Sequence, residues 1–206
     1  MFLGWMAIAA ASPVSTWEGL VVTASLPGED PGPLRLWFDG HARRGDSFVG
    51  IVRPGLGVDL GGGLAVWAGY AWVATATPGD LASEHRVWEQ VTWNRGGKRI
   101  SGGLRGRLEQ RFGPGSGAVG LRVRGFGRVQ ADVAGPFSLV VWDELFVGLN
   151  DTPRGPAGLD QNRLFAGPAW RAGSLRAEAG VLGQALLRDG DWTVVPVIAT
   201  NLFLTL

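Results

Sequence analysis

Charged side chains that recur at every second position are the residues of this sequence best suited to chemistry. The segments 99–111, 121–130 and 175–187 all place arginine or acidic side chains in this alternating pattern. The positive side chains of the chain are 18 arginines and one lysine, Lys98. Arginine predominates where charge is buried or paired, because its planar guanidinium binds carboxylates through two hydrogen bonds. The chemistry that this pattern predicts is ion pairing within the protein or the binding of small anions.

The spacing of these charges is that of β-strands. Arg105, Arg107 and Glu109 share one face of a strand and Leu104 and Leu108 the other, since successive side chains point to opposite sides. Glycine and proline turn signals recur at short intervals between such segments. The predicted strands are approximately 16–26, 34–43, 47–60, 64–76, 84–95, 98–112, 118–130, 137–149, 162–171, 174–187 and 192–206. Several exceed ten residues, which suits strands that cross a bilayer at a tilt.

Composition favours a membrane barrel. No apolar run reaches the roughly 20 residues of a transmembrane helix, yet hydrophobic residues make up 46% of the chain and ten of them are tryptophans. In a transmembrane barrel apolar side chains face lipid, polar ones face the lumen, and closure leaves no unpaired edge. We predict an all-β fold, a closed antiparallel transmembrane β-barrel in the bacterial outer membrane of a Gram-negative cell. A soluble sandwich or lipocalin-like barrel is the alternative, because alternation occurs there too.

The strand count and the N-terminus are linked. Bacterial single-chain barrels have an even number of strands, so we expect about twelve strands, with ten as the second choice. Residues 1–12 supply either an extra N-terminal strand or the remnant of a signal peptide, since the small residues 7–11 resemble a cleavage site. Residues 13–206 form a single β-barrel domain. Within it we expect segment 150–161 to be an external loop.

Several short motifs follow one another in a fixed order along the chain. They are Arg53-Pro54-Gly55-Leu56-Gly57, Ala68-Gly69-Tyr70, Glu84-His85-Arg86-Val87-Trp88-Glu89-Gln90, Leu104-Arg105-Gly106-Arg107-Leu108-Glu109-Gln110-Arg111-Phe112, Trp142-Asp143-Glu144-Leu145-Phe146 and Asp160-Gln161-Asn162-Arg163-Leu164-Phe165-Ala166-Gly167. In this order and spacing, over about Trp17 to Leu206, the chain resembles the bacterial domain-of-unknown-function family 2490. The resemblance implies an outer-membrane β-barrel of uncharacterised function, and it supplies no catalytic residue.

Alternation assigns ten arginines and six carboxylates to the lumen, among them Arg53, Asp39, Asp59 and Glu84. The remaining twelve form the predicted lumen charge network: Arg86, Arg105, Arg107, Glu109, Arg111, Arg122, Arg124, Arg128, Glu144, Arg163, Arg176 and Glu178. Two interpretations remain open for this network. Its ion pairs plug a narrow barrel with side chains, or its excess of arginine forms a constriction that attracts anions.

The tryptophans divide between the two faces. The inward set packs the lumen or forms a stacking surface for a ligand such as a sugar, and it comprises Trp17, Trp67, Trp88 and Trp142. The outward set, Trp72, Trp93 and Trp170, suits the girdle of a membrane interface. Asp143 is also assigned to the lipid face, where a charge is costly, so we expect a β-bulge or register shift there.

Other kinds of site have little support. The absence of cysteine excludes a thiolate metal site and a cysteine nucleophile. Ser83, Glu84 and His85 cannot form a relay among themselves, because consecutive strand residues face opposite sides. His41 and Asp39 share a face and could form a hydrogen-bonded pair. We expect no cofactor and no metal, and a net charge of +1 argues against nucleic acid.

The resulting functional hypothesis is a narrow arginine-lined pore for small anionic solutes. The alternatives are a plugged structural or interaction barrel without transport, and an outer-membrane lipid-modifying enzyme. Membrane lipid, the outer-membrane assembly machinery and small anions are the expected partners.

Overall fold

The computed structural model describes residues 15–26, 32–114, 117–153, 155–188 and 190–206. These residues form eleven β-strands, and they contain no helix that is both long and apolar enough to cross a membrane. The strands are β1 (Ser15–Ser25), β2 (Leu34–Arg44), β3 (Phe48–Gly61), β4 (Leu64–Thr77), β5 (Asp80–Gly96), β6 (Ile100–Phe112), β7 (Gly120–Ala134), β8 (Phe137–Gly148), β9 (Gly158–Ala172), β10 (Leu175–Arg188) and β11 (Asp191–Thr205).

The sheet closes on itself. Each strand pairs with its neighbours in sequence, and β1 pairs with β11 in parallel, with Trp17 opposite Ala199. The predicted all-β closed barrel is therefore confirmed. The described residues form eleven strands, not the expected twelve or the second choice of ten, because parallel pairing of the first and last strands lets an odd number close. Segment 1–12, the other part of that expectation, lies outside the described residues.

The odd strand number puts the start of β1 and the C-terminus at opposite ends of the barrel. One end, here called the C-terminal end, carries Leu206 and the short turns 62–63, 97–99, 135–136 and 173–174. Gly62 and Gly63 have φ of 61° and 83°, the backbone that a two-residue turn between twisted strands requires.

The opposite end, here called the loop end, carries the connections 113–119 and 149–157. The loop expected over 150–161 is shorter than predicted, because β9 already begins at Gly158, and Gly158, Leu159 and Gln161 pair with β8.

The outward face of the barrel is apolar and exposed. Exposed outward side chains occur along the strands, including Val52, Leu104, Val141, Val181 and Ile198. Most exposed aromatic side chains lie toward the two ends, whereas Phe38 and Tyr70 lie nearer the middle of β2 and β4. Those near the loop end are Phe48, Trp72, Phe112 and Trp192, and those near the C-terminal end are Trp93, Phe137 and Trp170. Trp72, Trp93 and Trp170 thus face outward, as alternation predicted.

Asp143 faces outward without the expected distortion at its position. The ladder between β7 and β8 runs unbroken through Asp143, opposite Gly127, and the nearest irregularity of β8 lies between Phe146 and Val147. The Asn162 side chain on β9 instead donates a hydrogen bond of 2.8 Å to the Asp143 carboxylate. A neighbouring amide therefore satisfies this carboxylate, so no local change of register is needed.

Candidate functional site

A layer of fully buried side chains crosses the lumen away from the strand ends. We call it the septum, and it comprises Asp39, Arg53, Trp88, Arg107, Glu109, Arg124 and Glu144. They come from six strands, β2, β3, β5, β6, β7 and β8. Each exposes 5% of its surface or less, so the septum excludes solvent although most of its members are charged.

Asp39 holds one side of the septum. The Arg53 guanidinium donates to both carboxylate oxygens of Asp39, at 2.7 and 2.8 Å, and the indole N–H of Trp37 donates to Oδ2 at 2.9 Å. His41 Nε2 lies 3.4 Å from Oδ1 of the same carboxylate. Arg107 approaches Asp39 at 3.8 Å. Asp39 is therefore saturated with donors and fixed in position.

Glu109 is the central carboxylate of the septum. Arg122 Nη2 donates to Oε2 at 2.6 Å, Arg124 Nη1 donates to Oε1 at 2.7 Å, and Arg86 Nη1 lies 3.5 Å from Oε2. The neighbouring Arg107 donates through Nε and Nη2 to the side-chain oxygen of Gln90, at 2.8 and 2.5 Å. Arg107 Nη1 also lies 3.9 Å from Glu109 Oε1, so this one carboxylate forms ion pairs with four arginines from β5, β6 and β7.

Glu144 completes the septum. Arg105 and Arg124 donate to its Oε1 at 2.6 and 2.7 Å, and Arg163 lies 3.6 Å from Oε2. Arg124 contacts both Glu109 and Glu144, so it joins the ion pairs of the centre to those around Glu144. Charged groups linked in this way hold one another in place across the lumen.

Aromatic rings support the arginines of the septum. The Arg107 guanidinium lies 4.7 Å from the centre of the Trp88 ring, and Arg124 lies 4.7 Å from that of Phe146. Trp88 fits against the backbone of β3 and β4, where a Cβ added at Gly55 would meet the ring at 2.6 Å and one added at Gly69 at 2.5 Å. Glycine at these two positions therefore provides the space that the indole occupies.

A cavity of about 450 Å³ lies on the loop-end side of the septum. We call it the loop-end vestibule. Among the described residues that line it, seven are arginines and one, Glu84, is acidic; the arginines are Arg43, Arg53, Arg86, Arg111, Arg122, Arg124 and Arg163. Glu84 accepts hydrogen bonds from Arg86 and, at 2.9 Å for each oxygen, from Arg111. This wall suits an anionic guest.

Positive charge is in excess around the septum and the loop-end vestibule. Nine arginines meet four carboxylates here, which leaves an excess of five positive charges among the described residues. Arg43 shows the excess most clearly. No described carboxylate pairs with it, its buried Nε has no hydrogen-bond partner, and its guanidinium stacks on Trp17 at 4.2 Å.

A second cavity, of about 520 Å³, opens toward the C-terminal end. We call it the C-terminal vestibule. Its aromatic lining residues are Trp17, Trp37, Trp67, Phe126, Trp142 and Phe203. Its charged groups include Glu178, to which Arg128 donates at 2.6 Å and from which Arg176 Nε lies 3.2 Å away.

All twelve residues of the predicted charge network face the lumen, but they fall into two groups. Nine belong to the septum and its surroundings, whereas Arg128, Arg176 and Glu178 lie together in the C-terminal vestibule. The sequence reasoning missed Arg43, although its alternation with Asp39 and His41 was a signal for it. That these residues form a functional site stays a prediction.

The histidine and serine considered for catalysis lie on the outer surface. His85 Nδ1 bonds to the Tyr70 hydroxyl, and Ser83 accepts a hydrogen bond from the Trp72 indole at 3.3 Å. Glu84, between them in sequence, faces the lumen. Among the described residues no group of three or more His, Cys, Asp or Glu side chains could hold a metal ion.

Comparison with known proteins identifies the family. A family model described as a protein of unknown function, DUF2490, matches residues 14–195. The chain belongs to the DUF2490 family. An uncharacterised protein of Methylorubrum extorquens is 32% identical to this DUF2490 chain over 163 residues, which cover 74% of the chain and 71% of that protein. No solved structure matches this DUF2490 chain.

Proposed function

We propose that this DUF2490 protein is an outer-membrane β-barrel whose loop-end vestibule binds small anions and whose septum blocks free passage. The support for a membrane location is the outward face. Its exposed side chains are largely apolar, and seven of the nine exposed aromatics among the described residues lie toward the two ends, as in barrels whose strands cross a bilayer. A soluble monomer rarely exposes so large an apolar surface.

The observation that carries anion binding is the excess of arginine. Burying a charge without a partner is costly, and the nine arginines around the septum and the loop-end vestibule meet only four described carboxylates. An anion in the loop-end vestibule would balance part of this charge. Arginine side chains also suit phosphate and carboxylate groups, because their N–H donors match two oxygens at once.

The septum supports a closed lumen. Its side chains are buried and connected by short ion pairs, so a solute crossing the barrel would have to separate several of them.

An anion-selective pore is the second candidate function. The two vestibules share three lining residues, Arg43, Arg124 and Arg163. Only side chains therefore separate the cavities at that point, and a rearrangement of these arginines would connect them through a positively charged passage.

Calorimetric titration tests anion binding. The full chain is refolded into lipid nanodiscs and titrated with inorganic phosphate, beside empty nanodiscs. We expect saturable binding that weakens roughly tenfold in Arg43→Gln, since a charge-assisted hydrogen bond contributes about 1.5–3 kcal/mol. Arg44→Gln is the matched control, because Arg44 is exposed and pairs with Glu18 at 3.1 Å. Absence of binding, or equal loss in both variants, would overturn the proposal.

Planar-bilayer recording under a salt gradient separates the closed barrel from the pore. A silent bilayer, with folding established by heat-dependent gel mobility, supports the closed septum. Conductance steps with an anion-selective reversal potential would replace it with the pore.

A further inference from the structure

The C-terminal vestibule has an aromatic wall in fixed positions. Trp37 and Trp67 meet edge to face with ring centres 5.2 Å apart, and Phe126 and Trp142 lie 5.7 Å apart. Behind Trp142, the fully buried Phe165 stacks on its ring at 5.1 Å. Aromatic surfaces supported in this way present contact area to a guest at little further cost in side-chain entropy.

Trp67 is held by the barrel wall itself. A Cβ at Gly57 would lie 2.3 Å from its ring, so the indole packs directly against the backbone of β3. Its N–H donates to the Thr92 hydroxyl at 3.0 Å, which satisfies its polar atom. The ring lines the vestibule and remains partly exposed there. It is therefore available for contact without needing a polar partner.

Three arginines line the same vestibule toward its opening: Arg128, Arg171 and Arg176. Arg171 and Arg176 are direct partners in the register between β9 and β10, so two like charges face each other. Glu178 is the one carboxylate of the described residues that pairs with Arg128 and Arg176, and none pairs with Arg171. Like charges placed opposite one another in a sheet repel. An added carboxylate at this position would relieve the repulsion.

We propose that the C-terminal vestibule is a binding site for aromatic carboxylates. The carboxylate would lie between Arg171 and Arg176, and the ring would enter along Trp142 and Trp67. A volume of about 520 Å³ is in the usual range for a small organic ligand. This site lies at the opposite end of the barrel from the proposed anion site, so a result that overturns one proposal leaves the other standing.

The apolar wall and the positive mouth together select this ligand class. Inorganic phosphate would satisfy the arginines and leave the aromatic surface without a partner. A neutral aromatic compound would contact the aromatic surface and leave the arginines without a counter-charge. An aromatic carboxylate satisfies both, because it buries apolar area against the rings and accepts hydrogen bonds from two guanidinium groups.

The test uses 2-naphthoate as the probe. The full chain in nanodiscs is titrated calorimetrically with 2-naphthoate and with its neutral counterpart 2-naphthalenemethanol, and empty nanodiscs correct for partitioning into lipid. We expect saturable binding of 2-naphthoate, at least tenfold tighter than the neutral compound. Arg171→Gln and Arg176→Gln should each weaken it roughly tenfold, the loss expected for a charge-assisted hydrogen bond.

Two further variants make the result specific. Arg95→Gln removes an exposed arginine from the same end of the barrel and should leave 2-naphthoate binding unchanged. Arg111→Gln changes an arginine that lines the loop-end vestibule and not the C-terminal vestibule, so it should weaken phosphate binding and not 2-naphthoate binding, and the two proposals are judged separately. Equal binding of the neutral compound, or binding unaffected by the Arg171 and Arg176 variants, would overturn the inference. Binding of glucose in place of 2-naphthoate would also overturn it and assign the aromatic wall to a carbohydrate.

Discussion

Arg43 and Arg44 are consecutive in the sequence and lie on opposite sides of the barrel wall. The Arg43 guanidinium stacks on Trp17 inside the lumen at 4.2 Å, whereas Arg44 is exposed and pairs with Glu18 at 3.1 Å. The alternation of a β-strand separates them. These two neighbouring arginines therefore differ in chemistry: Arg43 adds to the positive charge of the lumen, and Arg44 forms an exposed ion pair.

Neutralising Glu109 should destabilise the barrel. Glu109 is fully buried and accepts from Arg122 and Arg124, so Glu109→Gln leaves buried arginines without their counter-charge. We expect the free energy of unfolding to fall by about 3–5 kcal/mol. Urea unfolding in lipid vesicles, followed by tryptophan fluorescence, measures the change. Glu18→Gln makes the same substitution at an exposed pair and should cost at most about 1 kcal/mol; similar losses in both would contradict a structural septum.

Gly55→Ala should disturb the support of Trp88. The added methyl group would lie 2.6 Å from the indole, which is fully buried and has little room to move. Overpacking of this kind costs about 1–3 kcal/mol. The same vesicle unfolding experiment reads the effect. Gly106→Ala is the comparison, because a Cβ there meets no atom within 4 Å; an equal loss at Gly106 would show that strand glycines matter for another reason.

Removing Trp88 should open the lumen. Trp88 is buried in the septum and lies against Arg107. Trp88→Ala leaves a gap beside this arginine, so we expect conductance steps with anion selectivity where the unmodified protein is silent. Trp93→Ala changes an outward tryptophan of the same strand and should remain silent. Heat-dependent gel mobility checks that each variant is folded.

Arg124→Ala provides a second route to the same test. This substitution removes the guanidinium that pairs with both Glu109 and Glu144, and it should give conductance as well. Folded variants of Trp88 and Arg124 that both stay silent would contradict the septum as the barrier.

The membrane location can be tested with two valines of equal exposure. Val181 lies near the middle of β10 and Val133 near the end of β7, and they are 63% and 65% exposed. An arginine at the bilayer midplane costs about 2–4 kcal/mol and near the interface about 0–1 kcal/mol. Val181→Arg should therefore reduce the stability measured by refolding into vesicles, and Val133→Arg should not. Equal effects would argue against a bilayer around the barrel.

The strands were accessible from the sequence because their signal is local. Alternation and turn residues predicted eleven segments, and each matches a strand of the structure, although β5 and β9 each begin four residues earlier than predicted. Asp143 shows where local reasoning stopped. The sequence indicated a costly outward charge, but its solution, a hydrogen bond from Asn162, depends on the register of a neighbouring strand.

The sequence did not reveal which charged side chains pair with one another. Arg128 pairs with Glu178, which is 50 residues away and on a strand that is not its neighbour. Side chains that meet across a lumen do so because the sheet has closed, and no spacing along the chain records which strands then face each other.

The sequence by itself determined the class of fold, the two faces of each strand and the enrichment of the inward face in arginine, because these follow from a period of two. The tertiary structure decided that eleven strands close through the parallel pairing of β1 and β11, that a septum divides the lumen, and that Arg43 has no described carboxylate partner. The physical reason is that closure, register and burial are properties of the whole sheet, whereas alternation is a property of each strand.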